Sequence, residues 1–298
     1  MNREMRSALL LFLTAAIWGF AMAFQREGSR YLGPFAFNAC RFLLGGCAML
    51  PLMLRENKKQ QSPLKKSDVL PGVILGAILF LASLLQQAAV GEAGAGKAGF
   101  LTALYVVLVP LLGIFVGKKT RLTTWLALGL ALPALYLLCV PAGESFSFAP
   151  SDLLLILGAV FWALHILCTD HFVQRISALK LCAVQFFSGA ALNLLCALLF
   201  ESLSLQSVMR AAVPLLYCGL MSTGLGYLLQ TVGQAECRPA FAALILSLES
   251  VFCVIAGALM LGERMEMRGY IGCVLMLLAV LLAQAGALLP ARKENRHV

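Results

Sequence analysis

Two charged residues lie inside long apolar stretches of this 298-residue chain, Glu249 in residues 239–262 and Arg41 in residues 32–54. A charge at the centre of a bilayer costs about 2.5 to 3.5 kcal/mol on insertion scales, so it usually faces a cavity, pairs or is neutralised. Glu249 predicts a partner for a solute amine or a protonatable group, with a structural interhelical hydrogen bond as the alternative. Arg41 suits a solute carboxylate through two parallel hydrogen bonds. Pairing with Glu249 or with backbone carbonyls is its alternative, and the more usual outcome for a buried charge.

Four uncharged candidates form two pairs whose members are 144 residues apart, Trp18 with Trp162 and Gln86 with Gln230. Interfacial tryptophans lie at the edges of membrane spans, whereas these two lie several residues inside, which favours cavity walls or gates over belt positions. Ordinary packing is the alternative for both. Glutamine both donates and accepts, so each glutamine suits either a polar solute or a hydrogen bond between helices.

Tyr105 and Ser247 place hydroxyl groups at similar positions of the two halves, where a site between repeats would use them. For a single hydroxyl, a bond to its own helix backbone is the more common arrangement. His165 follows Trp162 by three residues. Together with Glu249 it is a candidate for proton coupling, although a histidine with satisfied hydrogen bonds is the more common case.

The motifs of enzymes are missing from the sequence. It contains three histidines, no His-Glu-x-x-His and no Gly-x-Ser-x-Gly. These patterns carry the zinc and nucleophile chemistry of the common hydrolases. We therefore predict no catalytic residues, no metal site and no cofactor.

The elements that must position these residues are membrane helices. Apolar residues make up 61% of the chain and charged residues 12%, with a mean hydropathy of +0.89. A helical crossing takes about 20 residues, and backbone groups in lipid must be hydrogen-bonded within the segment. The sequence thus predicts ten transmembrane helices in an all-α polytopic protein. They span 7–24, 32–54, 69–91, 98–117, 122–142, 153–169, 181–200, 211–235, 239–262 and 269–290.

The chain divides into two halves that resemble each other. Residues 1–142 and 151–290 each hold five apolar runs, and Arg41 of the first half matches Gln185 of the second at the same 144-residue offset. An odd number of crossings turns the second half upside down, which is the build of many secondary transporters. We therefore predict two inverted five-helix repeats, followed by a cytoplasmic tail at 291–298. Short connections within each half favour neighbouring helices packed as hairpins.

The distribution of positive charge predicts the orientation. With both termini in the cytoplasm, 16 of the 23 Lys and Arg residues fall on the cytoplasmic side and six on the other, Arg41 being the remaining one. This bias agrees with the positive-inside rule and accounts for the net charge of +9 without nucleic acid. Ala21-Met22-Ala23 also admits a cleaved signal peptide, but its removal would leave the first half one helix short.

Several local motifs resemble a known family. They are Ala15-Ala16-Ile17-Trp18-Gly19, Arg41-Phe42, Phe100-Leu101-Thr102-Ala103-Leu104-Tyr105 through Pro110, Leu246-Ser247-Leu248-Glu249-Ser250-Val251-Phe252 and Leu261-Gly262-Glu263-Arg264. With these the chain resembles the EamA-type members of the drug/metabolite transporter superfamily, over nearly its whole length. It departs from the family pattern at Ser250, often a proline, and at Gly117-Lys118, often Gly-Glu.

The resemblance implies a ten-helix carrier of the bacterial inner membrane that moves amino acids, nucleotide-related metabolites or drugs. We accordingly expect a secondary transporter, in the direction of export, of a small metabolite or amino acid by alternating access. Its partners are the solute and the lipid bilayer, and the sequence also admits a homodimer. A membrane sensor or assembly partner on the same fold is the alternative, and an intramembrane enzyme the weakest one.

Overall fold

The computed structural model describes residues 3–93, 95–140, 149–261 and 266–288, and all regular structure in these ranges is helical. The first half forms α1 (Arg3–Gly28), α2 (Pro34–Gln60), α3 (Lys66–Ala93), α4 (Ala95–Ala103), α5 (Tyr105–Phe115) and α6 (Leu122–Cys139). The second half forms α7 (Pro150–Phe172), α8 (Ala178–Phe200), α9 (Leu205–Arg210), α10 (Ala212–Leu216), α11 (Tyr227–Gln234), α12 (Pro239–Leu246), α13 (Glu249–Leu261) and α14 (Met267–Leu288). A π-helix (Tyr217–Gly226) joins α10 to α11. The prediction of an all-α polytopic protein is confirmed.

Nine apolar helical segments of the described chain are long enough to cross a membrane, and α6 supplies a tenth, shorter apolar helix. The sixth crossing begins at Pro150, three residues before the predicted run 153–169, and the carboxylate of Asp152 accepts a hydrogen bond of 2.7 Å from the N–H of Ala149. Residues 141–148, around the boundary of the two predicted halves, lie outside the described residues, as does the tail 291–298.

Two crossings are broken near their middle, and the breaks occupy matching positions. The fourth crossing is interrupted at Leu104, between α4 and α5, and the ninth at residues 247–248, between α12 and α13. At each break the backbone makes a tighter, three-residue turn: the N–H of Leu104 donates to Leu101, and that of Leu248 to Ile245. Such turns interrupt the regular α-helical ladder. The next helices begin at Tyr105 and Glu249, again 144 residues apart.

The eighth crossing carries the π-helix, which is an unusual element because π-turns are mostly single and often lie at functional sites. Here it extends over ten residues and supplies the carbonyl of Ser222 to the indole N–H of Trp18, at 3.1 Å. A Cβ on Gly226, its last residue, would stand 2.6 Å from Nε1 of Trp18. The glycine therefore gives the indole the room to reach that carbonyl.

The closest helix packing joins the two halves, and the prediction of hairpin packing within each half is wrong. Helix α2 packs on α8, α3 on α7 and α8, α1 on α13, α11 and the π-helix, and α6 on α14. Small residues make this approach close, since a Cβ on Gly76 of α3 would stand 2.8 Å from the carbonyl oxygen of Gln185. Membrane helices gain packing energy by such contacts, whereas short loops only limit how far neighbours can separate.

Helices α2 and α8 are joined at both ends by carboxylates. At one end, Glu201 accepts hydrogen bonds from the N–H groups of Phe35 and Ala36, at 3.0 and 2.8 Å. A carboxylate at a helix N-terminus satisfies unpaired N–H groups and complements the helix dipole. At the other end, the Ser177 hydroxyl donates to Glu56. These contacts make α2 and α8 a frame that supports the residues between them.

Candidate solute-binding site

A cavity lies between the two halves, where the breaks in the fourth and ninth crossings meet α1, α2, α3, α7 and the eighth crossing. It encloses about 490 Å³ free of protein atoms, its open mouth included. Its lining residues are Trp18, Met22, Gln25, Arg41, Gln86, Thr102, Tyr105, Trp162, Ile166, Ser222, Tyr227, Gln230 and Glu249. The structure thus brings together seven of the nine residues that the sequence singled out.

Helix periodicity explains how neighbours in the sequence reach the same wall. Trp18, Met22 and Gln25 follow one another at intervals of four and three residues, so they share one face of α1. Tyr227 and Gln230 do the same on α11. Because the lining residues come from both halves of the chain, the wall belongs to both halves at once.

Glu249 enters the cavity as the first residue of α13 and is half-buried. No cation within the described ranges forms an ion pair with it. Its polar neighbour is Tyr105, whose hydroxyl interacts with the carboxylate without completing a hydrogen bond. The carboxylate is therefore held at the wall by its position in the fold, and its charge faces the cavity.

Arg41 is 3% exposed and reaches the cavity from α2. Its Nη1 donates to Oε1 of Gln25 at 3.3 Å, and its guanidinium carbon lies 4.8 Å from the ring centroid of Phe42. Its Nε has no hydrogen-bond partner in the part of the chain that the structure describes. A guanidinium carries five N–H donors, so one amide contact and one aromatic ring leave most of its bonding capacity unused.

The sequence left open whether Arg41 and Glu249 pair, and in this structure they do not. Among the residues described, ion pairs form elsewhere, such as Lys118 with Asp170 and Lys180 with Asp68. The two cavity charges thus remain separate positive and negative poles. A buried charge without a partner is unfavourable, so a solute that carries both charges would relieve both at once.

Contacts with the eighth crossing show how deep Arg41 and Trp18 lie along the cavity. A Cβ on Gly219 would stand 3.3 Å from the carbonyl oxygen of Arg41, so these two backbones lie side by side. Gly226, seven residues further along, lies beside Trp18. Arg41 and Trp18 therefore belong to successive levels of the cavity.

The same kind of contact gives the positions of Glu249 and Gln230 along the cavity. A Cβ on Gly19 would stand 2.6 Å from the carbonyl oxygen of Glu249, which puts Glu249 near the level of Trp18. Gln230 follows Gly226 by four residues and lies about one helical turn, or about 5 Å, beyond that level. Along the cavity, the three residues therefore lie in the order Arg41, Glu249, Gln230.

Aromatic rings form the middle of the cavity wall. The ring centroids of Trp18 and Trp162 lie 6.5 Å apart, and Tyr227 lies 4.8 Å from the first and 6.4 Å from the second. Both indole N–H groups are used: Trp18 donates to Ser222, and Trp162 donates to Oε1 of Gln86 at 3.0 Å. The rings are therefore fixed in orientation and present apolar faces to the cavity.

The two equivalent glutamines differ. Gln86 uses both ends of its amide, since Oε1 accepts from Trp162 and Nε2 donates to the sulfur of Met22 at 3.0 Å. Gln230 is 1% exposed, and its Oε1 has no partner among the described residues. Only the three-dimensional structure separates these two roles.

Ser247 and His165 are the predicted site residues that do not line the cavity. Ser247 is fully buried at the break between α12 and α13, and its hydroxyl donates to the carbonyl of Leu244 at 2.7 Å. A hydroxyl that donates to its own helix backbone in this way cannot donate the same hydrogen to a solute. His165 lies behind Trp162 and Tyr227, with Nε2 2.9 Å from Oε1 of Gln185. Its other nitrogen, Nδ1, has no partner in the described chain.

Six of the thirteen lining residues lie outside the set that the sequence singled out: Met22, Gln25, Thr102, Ile166, Ser222 and Tyr227. Helical spacing from Trp18 would have found Met22 and Gln25, and Ile166 lies four residues after Trp162. The role of Ser222 depends on its backbone carbonyl in the π-helix, for which side-chain patterns give no signal.

A second pocket lies at the ends of α5 and α7, on the side that the positive charges assign to the cytoplasm. Nζ of Lys118 lies 2.5 Å from Oδ2 of Asp170, and Nη1 of Arg238 donates to the carbonyl of Lys119 at 3.2 Å. Cys237 lines the same pocket, and burial raises the pKa of its thiol to about 12, partly offset by a hydrogen bond with Ser7. These contacts join the two halves on this side.

Within the described ranges, no three His, Cys, Asp or Glu side chains come together as metal ligands. The cavity wall offers hydrogen-bonding groups, two charges and aromatic faces.

Comparison with known proteins shows the family of the chain. The model of the EamA-like transporter family matches the chain twice, over residues 5–140 and 149–284. The chain belongs to the EamA-like transporter family. With ten apolar helical segments, this EamA-like protein is a multi-pass membrane transporter.

Individual relatives of this EamA-like protein cover nearly all of it. It is similar to an uncharacterized transporter of Archaeoglobus fulgidus, at 29% identity over 94% of this chain and 86% of the relative. It is also similar to the uncharacterized transporter YwfM of Bacillus subtilis, at 27% identity over 98% of both chains. A solved crystal structure shares its fold, with a TM-score of 0.79 at 20% identity over 94% of this chain and 97% of that one.

Proposed function

We propose that this transporter is a secondary carrier that exports a small zwitterionic metabolite, such as an amino acid, across the bacterial inner membrane. In this proposal both termini are cytoplasmic and residues 1–142 and 151–290 are inverted repeats. The orientation is supported by the distribution of Lys and Arg residues. Export is supported by the family resemblance described above.

The observation that carries the proposal is the pair of separate opposite charges in one cavity. Arg41 and Glu249 line the same space and do not neutralise each other. An α-amino acid carries a carboxylate and an ammonium group about one carbon apart. Its carboxylate matches the unused N–H groups of Arg41 and its ammonium group matches Glu249. A solute with only one charge would leave the other pole unpaired.

The aromatic wall supports the same class of solute. Trp18, Trp162 and Tyr227 present ring faces to the cavity that Glu249 also lines. An ammonium group is attracted to such faces, by about 0.5 to 2 kcal/mol depending on how far it is desolvated. The rings also exclude water from the carboxylate, which strengthens its interaction with the bound cation.

The way in which the halves meet supports alternating access. The contacts of Lys118 with Asp170 and of Arg238 with Lys119 link the two halves on the inner side of the cavity. For a solute to leave or enter there, these contacts must break while others form on the opposite side. The breaks at Leu104 and residues 247–248 are the places where the fourth and ninth crossings bend most easily, since regular helical hydrogen bonds are interrupted there.

Proton coupling is assigned to Glu249 rather than to His165. A proton and a solute amine compete for the same carboxylate, which is the requirement for exchange of one for the other. His165 is fully buried outside the cavity wall and bonded to Gln185. It has no contact with the solute space through which it would exchange protons.

Solute counterflow in proteoliposomes tests the function. We expect the purified protein to exchange radiolabelled amino acids, and Glu249→Gln to reduce this exchange by about tenfold or more, since the charge-assisted bond to the ammonium group is lost. Glu92→Gln is the matched control, because Glu92 is exposed at the end of α3 and lies outside the cavity. Unchanged kinetics for Glu249→Gln would exclude the role of Glu249. Binding without flux in the unmodified protein would instead indicate a sensor.

A further inference from the structure

The two glutamines of the cavity occupy equivalent positions in the sequence but differ in their hydrogen bonds. Both ends of the Gln86 amide are occupied, by Trp162 and Met22. No hydrogen bond from the described residues reaches Gln230, and its Oε1 is buried without a partner. A buried amide without partners is unfavourable, and in a native protein such a group calls for an explanation, of which a bound molecule or ion is one.

Two hydroxyl groups on the same cavity wall are also buried without a completed hydrogen bond. The side-chain oxygens of Thr102 and Tyr105 are buried, and neither completes a hydrogen bond with any residue that the structure describes. Of these two, the Tyr105 hydroxyl faces the carboxylate of Glu249, so Thr102 and Gln230 supply the hydroxyl and the amide that remain free to bind a solute. Unlike Arg41 and Glu249, both are neutral.

The position of Gln230 determines which part of a solute it meets. Along the cavity the order is Arg41, Glu249, Gln230, with Gln230 one helical turn beyond Trp18. In an α-helix each Cβ tilts toward the N-terminus, so Gln230 on α11 leans back toward Trp18 and the middle of the cavity. A solute bound by its carboxylate at Arg41 and its ammonium group at Glu249 therefore extends its side chain toward Gln230.

We propose that Gln230 determines specificity by binding a neutral hydrogen-bonding group, a carboxamide or hydroxyl, on the side chain of the solute. The inference rests on the proposed function, because the zwitterionic end must first be held by Arg41 and Glu249. A carboxamide matches the Gln230 amide with one donor and one acceptor each. A hydrocarbon side chain of the same shape leaves Gln230 unpaired, and sites built to bind a polar group discriminate strongly against such analogues.

Counterflow with isosteric solute pairs tests this inference. The probes are asparagine against leucine and threonine against valine. We expect the unmodified carrier to prefer the polar member of each pair by about tenfold or more, which corresponds to one hydrogen bond. Gln230→Met keeps the length of the side chain but removes its amide, and it should abolish this preference while leucine and valine are still carried. Gln230→Asn keeps the amide and should retain the preference.

Gln86→Met is the matched control at the equivalent position. It removes the partner of Trp162, so it should lower the rates for both members of a pair by the same factor and leave their ratio unchanged. Removal of the unpartnered amide in Gln230→Met should not lower the apparent melting temperature. If Gln230→Met carries neither solute, the thermal shifts that asparagine and leucine induce in the purified variant are compared instead of the rates. A larger shift with asparagine than with leucine would then overturn the inference.

The failures of the two proposals are distinguishable. A ratio that stays the same in Gln230→Met, with normal transport of amino acids, overturns the role of Gln230 and leaves the proposed function standing. Absence of counterflow for all amino acids in the unmodified protein overturns the proposed function itself.

Discussion

Nε1 of Trp162 donates a hydrogen bond of 3.0 Å to Oε1 of Gln86, and this contact links the second half of the chain to the first inside the solute cavity. The equivalent tryptophan, Trp18, does not bond the equivalent glutamine, Gln230. It donates to the carbonyl of Ser222 in the π-helix. The two halves thus fix their tryptophans by different means, and this difference leaves Gln230 free.

The bond between Trp162 and Gln86 should contribute to stability. Gln86→Leu leaves a buried indole N–H without a partner, so we expect it to cost about 1 to 3 kcal/mol in unfolding free energy and to lower the apparent melting temperature in detergent. Trp162→Phe removes the other partner. In the double variant the two losses should not add, because they remove the same bond. Strictly additive losses would show that this hydrogen bond contributes nothing.

Arg41 and Glu249 should not rescue one another when their charges are exchanged. They form no ion pair, and Arg41 is held instead by Gln25 and the ring of Phe42. The double variant Arg41→Glu with Glu249→Arg should therefore remain as inactive and as destabilised as the worse single variant. Melting temperature and counterflow, measured on the two single variants and on the double variant, test this prediction. Recovery of folding in the double variant would show that the two charges pair in some state of the protein.

Gly19 should be required for the approach of α1 to α13. A Cβ at this position would stand 2.3 Å from Cβ of Phe252 and 2.6 Å from the carbonyl oxygen of Glu249. Gly19→Ala should therefore displace the start of α13, cost about 1 to 3 kcal/mol and impair transport. Gly129→Ala is the control, since nothing lies within 4 Å of a Cβ there, and alanine favours the helix. Equal effects of the two substitutions on melting temperature and counterflow would contradict this assignment.

The ion pair of Lys118 and Asp170 should keep the inner side closed, and Cys237 can report its opening. Because burial raises the pKa of the Cys237 thiol to about 12, little reactive thiolate is present near pH 7.5. Asp170→Asn should open the pocket and lower this pKa toward the ordinary value of about 8.5. Alkylation of Cys237 by N-ethylmaleimide, followed by peptide mass spectrometry, should then be at least about tenfold faster.

The pH dependence of this reaction gives a second readout. In the unmodified protein the alkylation rate should keep rising up to pH 10, because the thiol remains mostly protonated below its raised pKa. In Asp170→Asn it should level off near pH 9, once the thiolate dominates. Cys237→Ser serves as the blank. Identical rates and pH profiles in the two proteins would mean that the ion pair does not control this side.

Much of the fold was predictable because the bilayer imposes simple rules on the sequence. Apolar run length predicted the crossings to within a few residues, as for α7, which begins at Pro150 where the apolar run begins at 153. The same rules did not predict that the closest packing is between the halves, because contacts such as Gly76 with Gln185 depend on the shapes of distant surfaces. The π-helix was missed because its ten residues are mostly small or apolar and carry no clear periodicity that would mark a wider turn.

The sequence by itself determined that Glu249 and Arg41 are unusual, because charge in an apolar run is costly wherever the run lies. It also paired Trp18 with Trp162 and Gln86 with Gln230. Only the tertiary structure decided that the two charges face one cavity unpaired, that Ser247 bonds its own helix, and that Gln86 is occupied while Gln230 is free. The reason is physical: the cost of burial belongs to one residue and its neighbours along the chain, whereas a hydrogen bond needs a partner within about 3 Å, and the fold selects that partner.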